Sequence, residues 1–208
     1  MEAGKMRVNR GRLIAIEGID QSGKRTQATL LARRLIQKGY RTSVFDFPDY
    51  RTPLGRELRA YLAGRNRLDF HAVHLLYAAN KWERAREIDY EIDRGRNIIV
   101  NRYSPSNLAY GVAHGLPLDW LRSLEDGLPK PDVVFVLDIT PRTSFRRKTK
   151  KRDVHEGDRE YLRKVRNTYV RLARKYRWKV IDGENDPRSV HLEVWTLVAR
   201  LMKINPGQ

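Results

Sequence analysis

The run Gly18-Ile19-Asp20-Gln21-Ser22-Gly23-Lys24 has the spacing of a loop that wraps phosphate groups. Glycines let the main chain approach an anion closely. The start of a following helix adds unpaired N–H groups and a partial positive charge. Lys24 is then placed to reach the β- and γ-phosphates of a polyphosphate. The next position ordinarily carries a Ser or Thr hydroxyl for Mg²⁺, but here it is Arg25, followed by Thr26. A guanidinium has no acceptor and cannot ligate a metal. Either Mg²⁺ is held mainly by phosphates and water, or Arg25 contributes positive charge itself. A second set of residues fits a planar partner. Tyr77 and Lys81 are four apart and share one helix face. An aromatic plate with a cation one turn away suits a base with carbonyls on its edge. The alternative is a core tyrosine beside a snorkelling lysine. Arg102, in Asn101-Arg102-Tyr103, can fork onto a phosphate. Ser106, Asn107 and Tyr110 fall on the first turns of the next helix, where Ser104 and Ser106 either meet a ligand or cap.

The elements that must position these residues are legible from periodicity. Leu13–Glu17, Thr42–Phe47, Asn97–Val100, Val133–Asp138 and Lys179–Asp182 are short apolar runs rich in β-branched residues. They read as strands buried on both faces. Helical patterns lie between them, including Lys24–Lys38, stopped by Gly39, and Phe70–Arg94, stopped by Gly95. Thr52-Pro53, Ser104-Pro105, Thr140-Pro141 and Asp186-Pro187 each pair a cap residue with a proline at the first turn. Strands alternating with helices predict βαβ units and a parallel sheet. Ligands of such sheets bind beyond the carboxyl ends of the strands. Every strand end here is polar: the phosphate loop, Pro48-Asp49-Tyr50-Arg51, Asn101-Arg102-Tyr103, an Arg/Lys-rich helix after Asp138, and Gly183-Glu184-Asn185.

Composition sets the outer limits. The 208 residues carry 42 Lys and Arg against 25 Asp and Glu, a net charge of +17. That excess points to a polyanionic partner: nucleic acid, a membrane surface or nucleotide phosphates. The absence of cysteine excludes disulfides, thiolate metal sites and a cysteine nucleophile. The longest apolar runs fall far short of a membrane span, and no secretory signal is visible, so the expected location is cytoplasmic. Arg supplies 30 of the 42 basic residues, which together with the missing cysteine fits a thermophile. Between Arg142 and Lys179, 16 Lys and Arg face 4 Asp and Glu, so most of the excess lies in one stretch. Lys148–Asp158 within it is almost wholly polar and reads as a mobile loop before a helix over Gly157–Arg177.

The combination of "IEGIDQSGKRTQ", "FPDYRTPLG", "VHLLYAANKWE", "NRYSPSNLAYG" and "PDVVFVLDITP", in this order, resembles the thymidylate kinases. These enzymes phosphorylate dTMP with ATP. The resemblance covers most of residues 13–182. It implies an α/β, P-loop NTPase-type fold: a parallel five-stranded sheet, helices on both faces, and a short Arg-rich lid at about 148–158. A basic extension over 1–12 would precede one kinase domain over 13–208. Gly18, Ile19, Asp20, Gln21, Ser22, Gly23, Lys24, Arg25, Thr26 and Arg147 would hold ATP. Pro48, Arg51, Tyr77, Lys81, Arg102, Ser106, Asn107 and Tyr110 would hold dTMP. Tyr77 would stack on thymine, and Lys81 would occupy the place of an Arg that bonds a thymine carbonyl. Arg102 would take the dTMP phosphate, and Tyr110 would disfavour a 2′-hydroxyl. Asp20, Lys24, Arg102, Arg147 and the lid residue Arg152 would serve catalysis. Mg²⁺ and a homodimer are also implied, with no membrane and no nucleic-acid partner. Three positions depart from the family pattern. Arg25 replaces the hydroxyl residue, Asn101 the Asp of an Asp-Arg-Tyr motif, and Tyr50 a phosphate-binding Arg. An Asp at 101 could pair with Arg25, whereas Asn101 would not. Lowered metal affinity is the expected consequence. Two other readings remain: a kinase for another nucleotide or deoxynucleoside, and a catalytically weak relative that binds nucleotides or nucleic acid.

Overall fold

The computed structural model describes residues 10–148 and 158–205. Five strands form one parallel sheet: β1 (Leu13–Glu17), β2 (Thr42–Asp46), β3 (Asn97–Asn101), β4 (Val133–Asp138) and β5 (Lys179–Asp182). Their order is β2-β3-β1-β4-β5. Among the described residues eight helices join them: α1 (Lys24–Gln37), α2 (Pro53–Leu62), α3 (Phe70–Asp93), α4 (Ser104–Ala113), α5 (Leu118–Glu125), α6 (Pro141–Arg147), α7 (Arg159–Tyr176) and α8 (Pro187–Met202).

Strand pleating divides the core. Leu13 and Ala15 of β1 pack into a cluster with Ile88, Ile92, Tyr169 and Leu172. Ile14 and Ile16, on the opposite face, pack with Leu31, Leu35 and Trp195. A strand between two helical layers must be apolar on both sides, which is why β1 reads as a continuous apolar run. Trp195 and Tyr169 are fully buried and anchor α8 and α7 to opposite faces of the sheet.

Element ends differ from expectation by one residue. β2 stops at Asp46 and β3 runs on to Asn101, so these two side chains face each other in register. Lys38 and Arg94 cap α1 and α3 just before Gly39 and Gly95. Thr52, Thr140 and Asp186 cap their helices as expected. Ser104 does not: it lies inside the first turn of α4, and the cap position is Tyr103. The Ser104 hydroxyl donates instead to the Glu125 carboxylate at 2.8 Å, and no side chain caps this helix. Asp158 starts α7 by accepting from the N–H groups of Glu160 and Tyr161. α5 has no cap signal to read, since its N-cap is Pro117.

β1 sits between β3 and β4, so strand order reverses around it. Such a reversal opens a crevice at the carboxyl ends of the strands. The phosphate loop leaves β1, and Arg102 leaves β3, on that edge.

Candidate active site

The loop between β1 and α1 takes a path few side chains tolerate. Gly18 and Gly23 have φ of 135° and 94°, and Gln21 has φ of 63°. A Cβ on Gly18 would lie 2.5 Å from the Leu137 oxygen and 2.7 Å from Ser22 Oγ. Gly23 caps α1 without a side chain, and the first turn contains no acidic residue. The positive end of α1 is thereby left to an external anion. Lys24 is buried, and its ammonium donates to the Ile19 carbonyl at 2.8 Å. A cavity of ≈ 540 Å³ opens above this loop, lined by Gln21, Gly23, Lys24 and Thr26. Arg147, at the end of α6, donates to the carbonyls of Gln21 at 3.1 Å and Gly183 at 2.9 Å. It therefore ties the phosphate loop to the chain after β5. Arg152 and most of the expected lid lie outside the described residues.

A second cavity of ≈ 550 Å³ adjoins the first. Asp20, Arg25, Asn101 and Arg102 line both, which makes them the walls of the junction. Arg102 is held there in a left-handed conformation, φ 63°, a state that costs a non-glycine residue about 1–3 kcal/mol. Its own N–H donates to the Ile16 carbonyl at 3.1 Å, and the following N–H donates to Glu17. The guanidinium pairs with Asp20 and donates to Tyr110 Oη at 3.2 Å and Ser106 Oγ at 3.3 Å. Tyr110 Oη donates to the other Asp20 oxygen at 2.9 Å. Burial alone would raise the Asp20 carboxyl, but Arg102, Lys24 and the Tyr110 hydrogen bond outweigh it and hold Asp20 well below the usual range.

Glu17 lies beneath this group, fully buried. It accepts from Ser106 Oγ at 2.6 Å and Tyr169 Oη at 3.0 Å as well as from Tyr103. Burial pushes its carboxyl up despite these donors and Arg102. Ser106 thus serves as a strut between Arg102 and Glu17 while also lining the second cavity. Replacing Ser106 by Ala is expected to cost about 1–2 kcal/mol of unfolding free energy, measured by urea titration, because Glu17 loses a donor in a dry site.

The far wall of the second cavity holds Tyr77, Lys81 and Asn107. Lys81 and Glu125 form an ion pair at 2.9 Å with side chains only 4% and 6% exposed. Lys81 also donates to the Tyr77 carbonyl at 2.7 Å. An ammonium has three N–H donors, so one remains for a ligand. Asn107 is bound internally: its amide donates to Glu125 at 2.7 Å and to the His74 carbonyl at 3.2 Å, and its oxygen meets His74 Nδ1 at 2.6 Å. It shapes the wall with its polar atoms already engaged.

The second strand's exit gives Phe47, Pro48, Tyr50 and Arg51 to the cavity. Asn80 of α3 fixes this turn, accepting the Asp49 N–H at 2.8 Å and donating to Thr52 Oγ1 at 2.8 Å. Gly55 allows α2 to pass over it, since a Cβ there would lie 1.8 Å from the Asp49 oxygen. Arg51 forks onto Asp49 at 2.9 and 2.8 Å and holds that carboxyl low. A different cation reaches the cavity beside Tyr50: Arg59 of α2, whose guanidinium carbon lies 4.8 Å over the Tyr50 ring.

Arg25 is ion-paired after all, with Asp46 at 3.4 Å. Asp46 in turn accepts from the Asn101 amide at 2.6 Å. Asn101 itself forms no ion pair with Arg25, as its neutral side chain implies, and the carboxylate comes from the neighbouring strand. Asn101 Oδ1 is buried with no partner, which leaves a hard oxygen acceptor at the junction. Among the described residues no three acidic or histidine side chains gather into a metal cage. Both features fit Mg²⁺ carried in on phosphates and water, touching the protein at few points.

Glu17, Asp46, Arg59, Asn80 and Glu125 are absent from the sequence-derived site. Glu17 had a signal, a carboxylate at the end of an apolar strand. Asp46 had none, because its role depends on the β2–β3 register.

Known proteins match this arrangement. The thymidylate kinase family model matches residues 16–194. The thymidylate kinase of Schizosaccharomyces pombe is 35% identical over 93% of this chain and 94% of its own. The human thymidylate kinase is 31% identical over 92% of each. A solved thymidylate kinase from Candida albicans superposes with a TM-score of 0.84 at 30% identity, covering 93% of both chains. With the phosphate loop, the junction arginine and the five-stranded order all in place, the chain belongs to the thymidylate kinase family.

Proposed function

We infer that the protein transfers the γ-phosphoryl group of ATP to dTMP, giving ADP and dTDP. The observation that carries this reading is the junction, where one phosphate-wrapping cavity opens into a second that fits a mononucleotide. An oxygen of the dTMP phosphate attacks the γ-phosphorus as the bond to the ADP oxygen breaks. The acceptor is already an anion, so no general base is required. The protein contributes alignment and charge neutralisation. Lys24 and the α1 N-terminus hold the ATP phosphates, Arg147 braces the loop, and Arg102 takes the acceptor phosphate. Arg25 adds charge beside them. Asn101 Oδ1 and Asp20 would be the residues to hold Mg²⁺, which would supply further charge neutralisation. Tyr77 stacks on the base and the remaining Lys81 N–H meets its carbonyl.

A homodimer is part of the same reading. Phe70, Leu75 and Trp82 of α3 are exposed large apolar side chains, which suit a second copy. The arginine-rich, cysteine-free composition suits a hot habitat, and a cytoplasmic location suits the substrates. No helix among the described residues is long and apolar enough to cross a membrane.

The test is a coupled ADP-release assay with Mg²⁺ and a panel of dTMP, dUMP, UMP, CMP and thymidine. We expect dTMP-dependent ADP release, with dTMP preferred. A flat response to dTMP, or preference for the nucleoside, overturns the reading.

A further inference from the structure

Asp46 belongs to no phosphate-binding motif, yet it holds two junction residues at once. It closes β2 directly across from Asn101 of β3. Its Oδ1 accepts from the Asn101 amide at 2.6 Å, and its Oδ2 pairs with Arg25 at 3.4 Å. Arg25 and Asn101 line both cavities, whereas Asp46 lines only the acceptor cavity. The Arg25 side chain is 77% exposed, and among the described residues the contact with Asp46 is the ion pair that restrains its long stem. An unrestrained arginine spreads over many rotamers, and ordering it at the moment of reaction costs entropy.

We propose that Asp46 is the positioning residue for Arg25: braced by Asn101, it holds the guanidinium at the junction where the phosphoryl group crosses. The inference rests on the kinase reading above. Asp46 touches no reacting atom and acts through Arg25. The pair explains why an arginine can stand directly after Lys24, where a flexible cation would otherwise fold onto any nearby carboxylate. The brace is local: one strand end supplies the carboxylate and its sheet neighbour supplies the amide that orients it. Asn101 contributes twice, donating through its amide to Asp46 and leaving its oxygen open at the junction.

A double-mutant cycle tests this. In steady-state kinetics with ATP and dTMP, Asp46→Asn should lower kcat about fivefold, the upper range for an exposed ion pair. KM for dTMP and the thermal midpoint should stay near wild type, because Asp46 is 45% exposed and holds nothing in the core. In an Arg25→Ser background the same substitution should lower kcat distinctly less, since Arg25 is gone and only the contact to Asn101 remains. Asp46→Ser should repeat the pattern. Equal losses in both backgrounds would show that Asp46 acts without Arg25 and would overturn the proposal. So would a fall in thermal midpoint that accounts for the lost activity. Absence of ADP release by the wild type overturns the kinase reading and this proposal together, whereas wild-type turnover with an additive cycle overturns only the proposal.

Discussion

Arg102→Ala should lower kcat/KM for dTMP by about a thousandfold in the coupled assay. A single arginine at a phosphoryl-transfer site is worth on the order of 10³ or more in rate. Arg102 is also the only route by which β3 delivers a guanidinium to the junction, with its fork aimed by Tyr110, Ser106 and Asp20. Loss of the cation leaves Asp20 and Glu17 facing each other's field in a mostly buried site. Breaking such a pair from one side costs about 3–5 kcal/mol. The Arg102 and Asp20 side chains retain 17% and 18% exposure, which places the expected loss near the lower figure. With Arg102 gone, the Asp20 carboxyl loses the largest influence that holds it low and rises from its wild-type position. Arg102→Lys restores a charge but not the fork, so it should recover the stability better than the rate. An Ala variant that folds and retains activity within tenfold of wild type would refute the role of Arg102.

Glu125→Ala should be the most destabilising change in the acceptor wall, about 3–5 kcal/mol in urea unfolding. It strands the Lys81 ammonium at 4% exposure with one carbonyl as partner, and removes the acceptor of Asn107 and of Ser104 Oγ. The double change Lys81→Met with Glu125→Leu should regain much of that loss, because two apolar side chains of similar volume replace a dry ion pair. The regained fold should still show a raised KM for dTMP, since the wall then offers no donor to the base. A loss under 1 kcal/mol for Glu125→Ala, or an unaltered KM in the double variant, would contradict this account.

The phosphate loop was fully legible in the sequence, because its function depends on consecutive residues and on a strand before and a helix after. Arg102 was legible for a similar reason, at a strand exit. The sheet was legible because strands buried on both faces must be apolar throughout. What escaped were contacts set by register and by helix crossing. Asp46 meets Asn101 only because β2 and β3 align as they do. Glu125 reaches Lys81 only because α5 lies against α3. Ser104 looked like a cap from its sequence neighbours, but its hydroxyl is drawn to Glu125 of α5, a contact set by helix packing. Arg51 was legible as a lining residue but its fork onto Asp49 was not, and Arg59 reaches the same cavity from a part of α2 beyond the quoted motif.

The cavities' internal pairing turns substrate binding into ion exchange. Arg102 already holds Asp20, Arg25 holds Asp46, Arg51 holds Asp49 and Lys81 holds Glu125. At these paired cations an incoming anion trades places with a resident carboxylate, whereas Lys24, Arg147 and the α1 N-terminus, which rest on carbonyls or carry no acidic cap, meet it without that exchange. The empty site is thus far closer to neutral than the chain's +17 implies. The ionic-strength dependence of KM should then be shallower than the number of cations lining the cavities would give, since added salt weakens the resident pairs and the substrate's pairs alike. Selectivity between nucleotides falls to geometry: only an anion that reaches several of these cations together can displace their internal partners.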